Sequence, residues 1–275
     1  MDQTSFAERY GPWALIAGGS EGIGASFARA LASRGLHVAL LARNAEPLEA
    51  TAASIRAAAD VEVRTAAIDL TSPTLVADLE PLVEGIEIGL LVYNAGATHG
   101  ARPLLDQPVE HALNLVALNC RGPVLLTHRF APAMVTRGRG GIILMTSMSA
   151  ACGSAYVAAY SATKAFDLVL AESLWIELGQ SGVDVLAVVA GLTDTPAMRR
   201  SGLVMEGAGF VAMDPGDVVD EALAALPGGG PMLVVGEQNR EMARAFWPQD
   251  RGEIVELMTG GAAGLYELPA LPRPT

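Results

Sequence analysis

Lysine is almost missing from this sequence: of 18 basic residues, every one is arginine except Lys164. Cysteine is nearly as scarce. Cys120 and Cys152 stand far apart and match no metal-ligand spacing, which excludes a disulfide framework and a zinc site and suits a reducing, cytoplasmic setting. Positive charge is in deficit, the net formal charge being -12, so the phosphates of a nucleic acid would meet a repelling surface. No run of eighteen apolar residues is present, and positions 1–10 carry Asp2, Glu8 and Arg9 in place of an apolar signal core. A soluble protein without membrane span or nucleic-acid partner is expected.

The solitary lysine invites a chemical reading. A chain that uses arginine wherever any cation serves has kept one ammonium, a compact charge with three rotatable donors that a planar guanidinium does not mimic. Chance retention is the plain alternative.

With 275 residues, 51% of them hydrophobic, the chain is large enough for a substantial core and small enough for one domain over 1–275. Short β-branched runs at 13–17, 37–41, 61–68, 88–93, 141–146, 183–189 and 232–235 read as strands. Alanine-rich amphipathic stretches at 25–34, 45–58 and 74–83 read as helices between them. Alternation of this kind predicts an α/β, doubly wound parallel sheet covered on both faces. Segment 196–213 mixes Met198, Leu203, Met205 and Phe210 with three glycines, as a mobile lid over an apolar ligand would, and a C-terminal extension follows 236.

The first strand runs into Gly18-Gly19-Ser20-Glu21-Gly22-Ile23-Gly24 and then a helix. Strand, glycine turn and helix together aim free N–H groups at a pyrophosphate, although a purely structural turn has the same composition. After the second strand, Ala42 offers no carboxylate to a ribose 2′-hydroxyl, whereas Arg43 offers a fork suited to a 2′-phosphate; NADP(H) is therefore expected in preference to NAD(H). Asp69, beside Leu70, either bonds an adenine amino group or caps the next helix.

Tyr160 and Lys164 are four apart in a segment of helical spacing and so share a face. A phenol of pKa about 10 is a poor acid at neutral pH, and a neighbouring cation lowers that value toward working pH. Ser147 ends the fifth strand, at the edge where open α/β sheets bind ligands, with Ser149 and Ser154 as neighbours of the same type. Asn119, late in the helical stretch near 111–118, is either a satisfied helix amide or part of a polar relay.

In order and spacing, Gly18-x-x-x-Gly22-x-Gly24, Asp69, Asn94-Ala95-Gly96, Asn119, Ser147 and Tyr160-x-x-x-Lys164 resemble the short-chain dehydrogenase/reductase family, over about 13–235. The resemblance implies a Rossmann-type sheet of seven strands in the order 3-2-1-4-5-6-7, a small-molecule ketone or alcohol substrate, and a homodimer or homotetramer. It further implies Tyr160 as general acid, Lys164 as its tuner and ribose ligand, Ser147 as carbonyl holder and Asn119 as support of a water relay. Asn94, Ala95 and Gly96 would line the adenosine side; Gly191, Thr193 and Thr195 would hold the nicotinamide. Gly11-Pro12-Trp13 and the apolar 196–213 resemble the branch acting on steroid, ketoacyl or aromatic ketones. The sequence departs from the family at Ala17 for threonine, Glu21 for a basic residue, Tyr93 for asparagine, and Ala190 for the proline of Pro-Gly. Rival readings are a non-catalytic NADP-binding regulator, which would lack Tyr160 or Lys164, and an epimerase or dehydratase, which would carry a larger C-terminal domain.

One charge-assisted pair is worth about 1.5 to 3 kcal/mol, so Arg43 should give NADPH an affinity roughly ten- to a hundredfold above that of NADH. Calorimetry on the protein and on Arg43→Ala checks it: the ratio should collapse in the variant. Equal affinities in the unmutated protein would overturn the assignment.

Overall fold

Both faces of a strand must be covered before five consecutive apolar residues can disappear from water, and that condition shapes this chain. The structure, a computed structural model, describes residues 3–96, 102–200, 211–247, 250 and 253. Along it run α1 (Gln3–Tyr10), β1 (Trp13–Ala17), α2 (Gly22–Ala32), β2 (His37–Ala42), α3 (Ala45–Ala58), β3 (Val63–Ala67), α4 (Leu75–Val83) and β4 (Ile88–Tyr93). There follow α5 (Val109–Val116), α6 (Gly122–Arg137), β5 (Gly140–Ser147), α7 (Ala158–Gly179), β6 (Val183–Ala190), α8 (Pro196–Arg200), α9 (Pro215–Ala225), β7 (Met232–Val234) and α10 (Glu237–Phe246). The seven strands form one parallel sheet in the order β3-β2-β1-β4-β5-β6-β7, as expected.

All five residues of β1 are buried, and successive side chains serve opposite faces. Ala14 and Ile16 join Phe27, Leu31, Leu48 and Val219 of α2, α3 and α9 on one side. Leu15 and Ala17 join Leu79, Phe130, Leu168 and Trp175 of α4, α6 and α7 on the other. Each fully buried large apolar side chain contributes about 1.5–3 kcal/mol. Two separate cores therefore clamp one sheet.

Strand ends differ from the sequence pattern for local reasons. β3 is shorter than 61–68 because it is the edge strand with half-exposed side chains, and the Glu62 N–H is taken by His37 Nδ1 at 2.9 Å. β6 instead runs through Ala190, which pairs with Ser147. Proline at 190 has no N–H to give a ladder; alanine keeps one. Of the stretch 196–213, positions 201–210 lie outside the described residues, as does most of the chain beyond α10. Among the described residues, no helix is long and apolar enough to cross a membrane.

At the amino edge of the sheet, α1 is fastened to β6. Arg9 grips Asp184 with two bonds of 2.6 and 2.8 Å, and the fully buried Tyr10 donates its hydroxyl to Asp184 Oδ2 at 2.5 Å. Asp184→Ala strands that hydroxyl and should lower unfolding free energy by about 2–3 kcal/mol. Because the clasp lies at the edge away from the carboxyl ends of the strands, urea unfolding should report the loss while ligand binding at that other edge persists.

Candidate active site

Strand order reverses between β1 and β4, and at such a point the carboxyl ends of parallel strands open a crevice. The glycine turn leaves β1 there. Gly18 and Gly22 have left-handed backbone, φ +83° and +55°, and a Cβ on Gly24 would run into the Gly18 carbonyl and stand 2.6 Å from Asn94 Nδ2. Asn94 donates to that carbonyl at 2.9 Å, and Thr51 fastens the turn through the Ser20 carbonyl at 2.8 Å. No side chain caps α2, so its first N–H groups are open to an anionic acceptor. A pyrophosphate fits this cradle.

Glu21 is not a bare acid in the turn: its carboxylate is paired with Arg200 of α8. Arg43 lies exposed beyond β2, near enough to Asp69 for its charge to act there. The Asp69 carboxyl is held below its ordinary range, first by hydrogen bonds from the N–H and hydroxyl of Thr71, then by Arg43. Asp69 does not cap a helix; α4 begins at Leu75 behind Thr74, and Asp69 closes the turn before it. The Leu70 side chain is buried in the core.

Asn119 does not end an ordinary helix either. After α5 the chain makes a π turn over 117–121 before α6. Gly122 gives its N–H to Ala117, five residues back, and Pro123 has none to give, so the Leu118 carbonyl loses its helical donors. The Tyr93 hydroxyl replaces them at 2.6 Å, and a Cβ at residue 122 would collide with that hydroxyl. Burial pushes the Tyr93 phenol well above its ordinary range, which keeps it a donor. The turn sets Asn119 at 0% exposure with Nδ2 on Thr163 Oγ1 at 2.9 Å; Thr163 in turn donates to the Tyr160 carbonyl at 2.8 Å.

Tyr160, half-buried, stands in the first turn of α7, and Lys164 one turn later is 4% exposed. Its Nζ donates to the Met145 carbonyl at 2.8 Å and to Asp167 Oδ2 at 3.0 Å. A Cβ on Gly96 would stand 3.0 Å from that Nζ and 3.6 Å from Asn119 Oδ1, a buried acceptor with no partner. The third ammonium proton and this acceptor border one point, which suits a ribose hydroxyl or a water. Ser147, half-buried, closes β5, and its Oγ accepts the Ser149 N–H at 3.2 Å. Thr146 ties the strand end to α7 through the Lys164 carbonyl at 2.7 Å.

The segment 94–96 thus runs from the glycine turn, where Ala95 meets Gly18, to the lysine. Across the crevice, Asn239 packs so tightly on Gly191 that no Cβ fits between them. Thr193 Oγ1 donates to the Gly191 carbonyl at 3.1 Å. Thr195 lays its methyl over Gly22, and its hydroxyl accepts the Met198 N–H at 3.1 Å.

Sequence reasoning missed Thr163, Asp167 and Asn239. The first two carried a signal: Thr163 follows Tyr160 by three and Asp167 follows Lys164 by three, the spacing of one helix face, and Asp167 interrupts an apolar run. Burial raises the Asp167 carboxyl to about 6 in spite of Lys164. Asn239 carried no signal, since its contact spans distant parts of the chain.

The short chain dehydrogenase family profile matches residues 12–203. A 7beta-hydroxysteroid dehydrogenase of Collinsella aerofaciens is 29% identical over 237 residues, covering 85% of this chain and 89% of that protein. A very-long-chain 3-oxoacyl-CoA reductase of Neurospora crassa is 33% identical over 201 residues, 71% of this chain and 60% of that protein, so the match spans less than two thirds of the fungal enzyme. Among solved structures, a short-chain dehydrogenase from Sphingobium yanoikuyae in complex with NADPH superposes with a TM-score of 0.75 at 31% identity, covering 93% of this chain and 95% of that one.

Tyr93→Phe keeps the ring and strands the Leu118 carbonyl. It should cost about 1–3 kcal/mol in urea unfolding and speed hydrogen exchange at 117–122 ahead of the rest of the sheet. Unchanged exchange in that window would overturn the role given to the hydroxyl.

Proposed function

The chain belongs to the short-chain dehydrogenase family, and from that premise we propose that it moves hydride between NADP(H), preferred over NAD(H), and a ketone or secondary alcohol of an apolar molecule. As an oxidoreductase it acts on hydroxyl or keto groups. One observation carries the reading: the only lysine of the chain is buried at the carboxyl edge, one turn from Tyr160 and beside Gly96 and Asn119.

When bound, NADPH supplies the hydride that the carbonyl carbon receives. Ser147 holds the carbonyl oxygen through its hydroxyl, and Tyr160 gives that oxygen a proton. Lys164 favours the phenolate left behind and bonds the ribose. Asn119 orients the water through which the proton returns. The N–H groups of the turn from Gly18 through Ser20, Glu21, Gly22, Ile23 and Gly24 take the pyrophosphate, Arg43 the 2′-phosphate, and Asp69 with the Leu70 backbone the adenine. Asn94, Ala95 and Gly96 wall the crevice; Gly191, Thr193 and Thr195 seat the nicotinamide.

Support for NADP(H) comes from Arg43 and from the relative solved with NADPH. Support for an apolar substrate comes from the relatives named for steroid and very-long-chain oxoacyl chemistry. Exposed Leu113 and Val116 of α5, Val124 of α6, and Phe166 and Val169 of α7 favour a homodimer or homotetramer of such one-domain chains. Free Cys120 and Cys152 favour the cytoplasm.

NADPH consumption over steroid, aromatic, aliphatic and acyl-thioester ketones tests the reading. Turnover of at least one class is expected, with Tyr160→Phe lowering it by about 100- to 10,000-fold while NADPH still binds. No turnover of any class would remove the function, and more than about a tenth of the activity in Tyr160→Phe would remove its proton donor.

A further inference from the structure

The steps above make no use of Asp167, yet a carboxylate that is 1% exposed needs a reason. Removing an ion from water costs several kcal/mol after relaxation, and beyond Asp167 the buried residues of α7 are Leu168, Ala171, Trp175 and Ile176 with one other carboxyl, Glu172. Asp167 Oδ2 accepts from Lys164 Nζ at 3.0 Å, while Oδ1 is buried with no partner. Both side chains are nearly sealed, at 5% and 2% exposure.

Besides Lys164, the groups that act with this carboxylate come from two elements, β4 and the π turn. Tyr93 on β4 directs its hydroxyl to Leu118. Cys120 on the π turn is a thiol that burial pushes up to about 11, hence neutral. Arg121 beside it gives Nη2 to the carbonyls of Thr71 and Ser72. The other elements packed on α7 bring no competitor: β5 and β7 hold no titratable side chain, Asp184 of β6 is bound to Arg9 and Tyr10, and Glu110 and His111 of α5 are exposed. Lys164 is the cation to which Asp167 is bonded.

We propose that Asp167 is a positioning residue, the internal counter-ion that keeps Lys164 protonated and fixed beside Tyr160, so that three side chains at one helix-face spacing work as a line. Burial without an opposite charge disfavours an ammonium, and a neutral amine offers Tyr160 no field. The inference rests on the reading of Tyr160 and Lys164 given above, and its test has a readout apart from turnover.

Since Lys164 is the only lysine, lysine-selective 13C labelling gives one ε-carbon signal in the full-length protein. In Asp167→Asn, which keeps size and an acceptor but removes charge, the pH at which that signal moves should fall by about one unit or more, and Asp167→Glu should restore it. The acidic limb of kcat against pH for alcohol oxidation should move upward in Asp167→Asn and return in Asp167→Glu. A purely structural ion pair would lower thermal stability and leave the kcat profile in place; a folded Asp167→Asn with an unmoved lysine signal overturns the proposal. If Asp167→Asn does not fold, the unmutated protein decides: the lysine signal must show a second inflection where the Asp167 carboxyl titrates, and its absence overturns the proposal equally. A shifted lysine without turnover of any ketone leaves this inference standing and removes the function reading; turnover with an unmoved lysine does the reverse.

Discussion

An ammonium held inside the protein sets the terms for everything at the carboxyl edge of the sheet. Lys164 is out of water, and a buried cation is stable only where hydrogen-bond acceptors and an opposite charge are already in place. Strand β5 must therefore end with the Met145 carbonyl turned toward α7, and α7 must bring Asp167 round one turn after Lys164. The bond from Thr146 Oγ1 to the Lys164 carbonyl locks strand and helix in that register. Gly96 lacks a side chain at the point where any Cβ would press on the amine. Arginine, used everywhere else, has too wide a head for this enclosure.

A second constraint begins with one proline. Pro123 cannot donate to a helix, the preceding N–H reaches back five residues, and the π turn that results carries Asn119 inward. Single π turns recur at functional sites because they displace one side chain without ending the helix. The carbonyl freed by this defect is answered by Tyr93, a residue that departs from the asparagine of the resembling family. The departure belongs to the geometry of Asn119. It is not a loosened contact.

The strands were legible because most are short, apolar and separated from the next by alanine-rich helix, a pattern in which period and length agree; their order came only from the resemblance to the family. The glycine turn, Ser147 and the Tyr160–Lys164 pair were legible because the chemistry they suit demands fixed spacings on a strand end or one helix face. What the sequence did not show lies in long-range contacts of side chains with backbone. Tyr93 to Leu118, Arg121 to Thr71 and Asn239 against Gly191 each join segments with no shared period. Asp69 shows the limit at short range: a helix cap was a locally sound reading, and only the start of α4 at Leu75, with Asp69 bonded to Thr71, showed a turn closure in its place.

Two further departures from the family pattern, Glu21 and Ala190, are answered by nearby contacts. Glu21 places an acid in the glycine turn, and Arg200 neutralises it from α8. That same pair ties the turn to the segment whose Thr195 methyl covers Gly22, so the glycine turn and the segment after β6 are joined by an ion pair and an apolar contact. Ala190 gives up the rigid φ of proline, gains a ladder position opposite Ser147, and hands the stiffening of the next residue to Asn239, itself fixed to the Val235 carbonyl at 2.7 Å. Rigidity lost in the backbone at 190 is thus supplied by packing on Gly191. The position of Gly191 in the crevice therefore depends on α10, an element outside the 12–203 stretch that defines the family match.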